Sequence, residues 1–238
     1  MERLAPGMLL TVWEAGRQQH ELDRALTLLA AASPGITRAE LASLSIGERD
    51  ARLLQLRSLT LGSDAAAFAE CPDCGEQIEF NIDTAAFAQP AEIVEPAEVP
   101  INGSRVRFRQ PNSRDLAAVT ASRDAAEGVQ RLLDACVIDI EPRDHPLPQD
   151  ELLAAVSEAL LRHDPRAESS LALSCPACGH AWETLFDVAT FFWQELAAIA
   201  RRLLREIDVI ARAYGWSEED ILKLSLQRRQ SYLEMIAA

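Results

Sequence analysis

The sequence predicts an α+β chain, mainly helical, and three observations carry that expectation. Apolar residues recur every three or four positions over long stretches at both ends, the period of an amphipathic helix. Two short stretches, "CPDCGEQIEFNID" at 71–83 and "CPACGHAWETLFD" at 175–187, follow a Cys-Pro-x-Cys-Gly turn with the alternation of a strand. Between them, proline-bearing runs forbid one continuous helical array. With 238 residues, 48% of them apolar and 25% charged, the chain is long enough to bury a sizeable core.

Near the amino end, "HELDRALTLLAAA" puts Leu22, Leu26 and Leu29 on one helical face, and "SIGERDARLLQLRSLTLG" does the same with Ala51, Leu54 and Leu61. Gly35 and Gly62 are placed to end these helices. After the first CPxCG, "QIEFNID" reads as a strand, and the stretch 89–100 as a linker or edge-strand excursion. "INGSRVRFRQP" supplies a turn and a strand with Val106 and Phe108 on one face. "NSRDLAAV" opens a helix with Asn112 or Ser113 as cap and Asp115 in the first turn. The helical runs "AAEGVQRLLDACV" and "PQDELLAAVSEALLRH" are parted by the proline-rich "EPRDHPLP". "SLALS" is a strand into the second CPxCG and "AWETLFD" the strand out of it. From Asp187, Phe191, Leu196, Ile199, Leu203, Ile207 and Ile210 recur at helical spacing for about seven turns, ending near Gly215. "WSEEDILKL", with Ser217 and Asp220 in a capping-box-like spacing, and "QRRQSYLEMI" complete a carboxyl-terminal helical hairpin or three-helix unit. The organisation expected is a helical region over 1–65, a zinc-ribbon-like β unit over 66–187 split by an inserted strand-and-helix segment at about 89–168, and a helical part over 188–238.

The formal charge is −14, from 37 acidic against 23 basic residues, so a nucleic-acid backbone is a poor partner. Nine carboxylates and no Lys or Arg lie between Asp64 and Ser104, whereas the segment from Arg201 onward is near neutral. The opening "MERLAPGMLLTVWEAG" has neither the basic start nor the apolar run of a secretory leader. The apolar stretch 188–214 carries Arg201, Arg202, Arg205, Glu206 and Asp208, each costing several kcal/mol in lipid, so no membrane span is expected. A cytoplasmic, reducing setting follows, in which close cysteine pairs bind metal or do redox work more often than they form structural disulfides.

Sliding the sequence by 104 positions superposes Cys71, Pro72, Cys74, Gly75, Glu79, Asp83, Ala85 and Phe87 on Cys175, Pro176, Cys178, Gly179, Glu183, Asp187, Ala189 and Phe191 without a gap. The two segments are therefore expected to fold alike, each a knuckle followed by a strand and the start of a helix. Thiolates at i and i+3 of a tight turn point at one ion, and the glycine tolerates the backbone such a turn needs. Two knuckles give Cys71, Cys74, Cys175 and Cys178, the closed tetrahedral set of one structural Zn2+ with no position left for a catalytic water. The competing readings are four reduced cysteines lining turns and a thiol redox pair. A thioredoxin-type CxxC opens a helix directly, whereas here a glycine and an alternating strand follow.

The remaining candidates have plainer readings. His180 follows the second knuckle but meets a filled ligand set, and His20, His145 and His163, without ligand-spaced partners, are expected to be exposed. Cys136 is expected to be a small buried hydrophobe. Glu79 and Glu183 match through the repeat, and Asp83 and Asp187 precede helical patterns as caps. Arg201, Arg202, Arg228 and Arg229 are expected on a solvated, ion-paired helix face. Of the aromatics Trp182, Phe192, Trp193, Trp216 and Tyr232, most should be core and one or two available to a partner. With no nucleophilic triad, phosphate-cradling loop or open metal site, catalysis is not expected.

Several stretches carry a resemblance: "LTLLAAASP", "LSIGERDARLLQLRSLTLG", the two knuckle segments "CPDCGEQIEF" and "CPACGHAWETLFDVATFFWQEL", and the tail "AYGWSEEDILKLSLQRRQSYLEMI". Together they resemble the baseplate and hub-assembly proteins of contractile phage tails of the T-even type, as found in phage-like contractile injection systems. The resemblance implies a non-enzymatic component that helps build, or sits within, a baseplate hub, with other baseplate, hub, spike or tube proteins as partners. The rivals are a zinc-ribbon regulatory protein that binds transcription machinery, and a thiol oxidoreductase.

Overall fold

In the computed structural model, which describes residues 1–87, 96–142 and 147–237, the chain is α+β and mainly helical. The amino-terminal stretch weighed above only as a leader is a helix, α1 (Pro6–Gly16), started by a proline in its first turn where no backbone N–H is needed. It leads to α2 (Glu21–Ala32), the short α3 (Arg38–Ala42) opened by a Thr37/Glu40 capping box, and α4 (Ile46–Leu61), capped by Ser45 and stopped by Gly62 at φ +99°. Strands β1 (Asp64–Glu70) and β2 (Gln77–Asp83) form an antiparallel hairpin, followed by the single turn α5 (Thr84–Phe87).

A second region comprises β3 (Ala97–Ile101), β4 (Ser104–Phe108), α6 (Ser113–Val119), α7 (Ala125–Cys136), β5 (Val137–Glu141) and α8 (Gln149–His163). Its strands make an antiparallel sheet in the order β3-β4-β5, and Asn112 caps α6, in a capping box with Asp115. Strands β6 (Ser170–Ser174) and β7 (Ala181–Leu185) form another antiparallel hairpin, and α9 (Val188–Tyr214), α10 (Glu218–Leu222) and α11 (Leu226–Ala237) complete the chain. Gly215, at φ +67°, ends α9 in the left-handed conformation, and Ser217 caps α10. Among the described residues no helix is long and apolar enough to cross a membrane.

Among the described residues two apolar cores result. The larger joins both ends of the chain: Leu9, Leu28, Leu29, Leu53 and Leu56 pack with Phe192, Leu196, Ile210 and Ile221, and Ala65 and Ile82 of the first hairpin join them. The smaller is confined to the second region, with Val106 and Phe108 of β4 against Leu133, Val156 and Ala159. Trp193 lies so close to α1 that a Cβ on Gly16 would stand 2.5 Å from its ring, and Arg24 covers that ring at 5.0 Å. Arg57 of α4 grips Glu195 of α9 through two bonds of 2.8 Å and also donates to the carbonyls of Gly62 and Asp64.

The two cores are tied by backbone and buried polar contacts. Ser45 bridges to Asn112, and the N–H of Ile46 donates to Pro111 O at 3.1 Å. Asp164, wholly buried just after α8, accepts from the Ser45 hydroxyl at 2.7 Å and the Gly47 N–H at 3.1 Å, so a carboxylate from a distant segment serves the amino end of α4.

Several expectations need correction. His163 is half-buried, edge-on to Phe108 at 5.6 Å, because it ends the helix that covers β4. Arg229 is buried, donating to Glu206 at 3.1 Å and to Leu224 O at 2.9 Å, so the arginines do not all lie on a solvated face, although Arg201 and Arg228 are exposed and Arg202 pairs with Glu206 along α9. The expected linker at 89–100 is in part strand β3, while 88–95 and His145 lie outside the described residues.

A Cβ placed on Gly47 would stand 2.1–2.5 Å from the carboxylate of Asp164. Gly47→Ala should therefore destabilise the fold by about 1–3 kcal/mol, read from the urea midpoint, the range expected for forcing atoms into a packed site. An unchanged midpoint would show that the junction relaxes freely.

Candidate metal centre

Each CPxCG is the turn of a hairpin, and the two hairpins are built alike. Glu70 faces Gln77 at the end of the first ladder, and Ser174 faces Ala181, their counterparts 104 positions on, at the end of the second. Within each turn the first cysteine donates its N–H to the residue five positions on, Cys71 to Glu76 O at 2.9 Å and Cys175 to His180 O at 2.8 Å. The glycine N–H returns to the first cysteine's carbonyl at 2.9 Å in both copies. Gly75 and Gly179 sit at φ +74° and +77°, a conformation a side chain would strain, which is why glycine closes each knuckle. The repeat runs on into the helices: Asp83 accepts from Ala85 N–H and Asp187 from Thr190 N–H, the capping roles expected of them.

The two turns meet. Cys71 Sγ lies 3.7 Å from Cys178 Sγ and Cys74 Sγ 3.6 Å from Cys175 Sγ, and all four sulfurs fall within 4.8 Å of one another. Disulfide sulfurs would be about 2.05 Å apart. Four sulfurs about 2.3 Å from the centre of a tetrahedron stand about 3.8 Å apart, so the spacing is that of a tetrathiolate cage around a single ion. Cys71 and Cys175 are buried while Cys74 and Cys178 are exposed, which opens one side of the cage to solvent. Among the described residues the hairpins share no hydrogen-bonded ladder, and beyond the sulfurs the two repeat copies touch through side chains: Phe186, after β7, meets Phe87 of α5 at 5.8 Å.

Backbone donors reach the sulfurs as well. The N–H groups of Glu76 and His180, equivalent in the repeat, point at Cys74 and Cys178, and those of Cys178 and Ala177 at Cys175. Without a cation the four thiols compete for charge. The Cys178 and Ala177 N–H groups, with neighbouring thiols, hold Cys175 down to about 7. The His180 N–H favours ionisation of Cys178, but desolvation and the three other sulfurs outweigh it, and that thiol is pushed up to about 12. Cys74 is raised too, its contacts with Cys175 and Cys71 outweighing the Glu76 N–H. A bound cation removes this conflict by favouring four thiolates at once.

Among the other candidates, His180 is exposed and stacked on Trp182 at 6.0 Å, outside the cage. Glu79 and Glu183 are exposed strand residues, and Cys136 is fully buried at the end of α7. Strand β1 carries little sequence signal, because "DAAAFAE" is alanine-rich and has no β-branched residue, and its alternation of exposed and buried positions shows only in the fold. Each CPxCG is followed by a strand, not by the helix of a thioredoxin-type site.

Residues 8–193 match the family described as T4 bacteriophage base plate protein. The matched stretch takes in both knuckles and all four cysteines and ends in the first turns of α9, ahead of the tail that contributed to the sequence resemblance. No curated protein and no solved structure gives a match.

Metal loading at neutral pH should release at least the two protons held by Cys74 and Cys178, whose pKa values are raised, measurable by a pH indicator in weak buffer. Because protons compete with metal for thiolate, the stability the ion adds is present at neutral pH and lost as pH falls, and metal retained after dialysis should drop together with the melting temperature. Cys71→Ser should abolish stoichiometric binding; retention of one ion per chain by that variant would remove Cys71 from the ligand set.

Proposed function

Because the chain belongs to the T4 bacteriophage base plate protein family, we propose that it serves in, or in the assembly of, the central hub of a baseplate in a contractile phage tail or a phage-like contractile injection system. In this reading one structural Zn2+ is held by Cys71, Cys74, Cys175 and Cys178, the protein acts through contacts with other baseplate, hub, spike or tube proteins, and it performs no catalysis. The supporting observation is the meeting of the two knuckles: four thiols from segments about a hundred residues apart converge at tetrahedral spacing. Such a set uses every coordination position, so the ion organises the chain and activates no water. Zinc is the ion that thiolate donors in tetrahedral array favour.

The proposed organisation is a zinc-ribbon-like unit split by an inserted segment at about 89–168 and flanked by helical parts at 1–65 and 188–238. The supporting observation is the separate apolar core around Val106, Phe108 and Val156. The protein is made in the cytoplasm and joins the tail there, either staying in the particle or acting on it during assembly.

Two measurements test this. Elemental analysis of the purified protein should give about one zinc per chain, the stoichiometry of a four-cysteine site. A strain lacking the gene should yield no complete baseplates by electron microscopy, and mass spectrometry of wild-type particles will show whether the protein stays in them. Normal contractile tails from the deletion strain would overturn the assignment.

A further inference from the structure

The strongest unassigned surface lies on the outer side of the hairpin pair. A groove of about 300 Å3 between the hairpins is lined by Phe68, Phe80 and Trp182, and a second, lined by Leu161 and Pro165, adjoins it at Leu185, which borders both. Phe68 and Leu185 are 73% and 68% exposed, and Leu161 44%. Single exposed apolar side chains are ordinary, but three along two adjoining grooves mark an interaction surface.

The charged residues that line the two grooves are acidic, and the arginines flanking Leu161 and Pro165 are already paired, Arg162 with Glu158 and Arg166 with Asp164. Glu70, Glu168 and Glu183 line the grooves, and no Lys or Arg does. The chain has no Lys or Arg over 64–104 or over 167–200, the stretches that build both hairpins. A surface of this kind repels acidic segments and draws basic ones.

We propose that this acidic apolar groove docks a protein segment in which apolar side chains alternate with arginine or lysine. The segment's apolar groups cover Phe68 and Leu185 while its cations meet Glu70, Glu168 and Glu183. On the baseplate reading, which this inference rests on for its setting, the segment belongs to another tail protein.

The test uses metal-loaded protein and a fluorescein-labelled 12-residue peptide of alternating leucine and arginine, with binding followed by anisotropy. Two control peptides replace either every arginine with glutamate or every leucine with serine. Wild-type protein should bind the leucine-arginine peptide and neither control. The double variant Phe68→Ser/Leu185→Ser should bind it at least about tenfold more weakly, as loss of a central apolar contact does. Both positions are exposed, so folding is unaffected, which circular dichroism checks. Absence of binding, equal affinity of the double variant, or equal affinity for the leucine-free peptide would overturn the proposal. So would dimerisation of the protein alone that the same substitutions abolish, since the groove would then serve self-association. The titration is done on purified protein, so its failure leaves the particle experiment standing, and a failed particle experiment leaves this binding measurable.

Discussion

Convergence of four sulfurs at tetrahedral spacing is the constraint on which the rest of the structure depends. A two-stranded hairpin is marginal on its own, and this protein has two that share no ladder. Holding Cys74 against Cys175 closes a loop of 101 residues, and the entropy of that closure grows only slowly with length, so one ion can organise distant parts of the chain. Structural metal sites in zinc-finger peptides contribute about 10–16 kcal/mol of apparent binding free energy, so an ion held by these four sulfurs would outweigh any single contact between the hairpins. The pseudo-symmetry of register, turn hydrogen bonds and glycine conformation gives each hairpin the same approach to the cysteine cluster.

Around this clamp the fold relies on charged groups placed where they have partners. Arg57 is nearly enclosed, and its two bonds to Glu195 together with the Gly62 and Asp64 carbonyls occupy four of its five donors at the point where α4 hands the chain to β1. Arg229 and Glu206 do the same where α11 returns onto α9. Removing one member of such a pair strands a buried charge, so these residues read as structural although their residue types would suit an active site. Asp164 joins the second region to the first by serving as acceptor for the start of α4.

Much of this was legible in the sequence, because the signals are local. The knuckle repeat carries its own turn chemistry, and α9 shows its period over seven turns, so fold class, the cysteine set and most helices follow from spacing alone. What escaped has a physical reason in each case. Strand β1 is mostly alanine, β5 is five residues directly after a helix, and α1 mixes glycines with a proline at its start. His163 and Arg229 depart from the expected exposure because burial of a polar residue at a helix end depends on what packs across it, here Phe108 and Glu206. The aromatics at the carboxyl end drew attention by number, whereas Phe68, the most exposed of the large apolar residues, lies alone among alanines.

Helix α9 has a mechanical consequence. At 1.5 Å per residue its 27 residues make an unbroken rod about 40 Å long, footed on the second hairpin and ending beside the stacked rings of Tyr214 and Trp216, which Tyr232 meets edge-on. A rod of that kind bends more readily than it shortens, because compression strains every i to i+4 hydrogen bond together. The foot of the second hairpin and the aromatic end are thereby held at a nearly fixed separation.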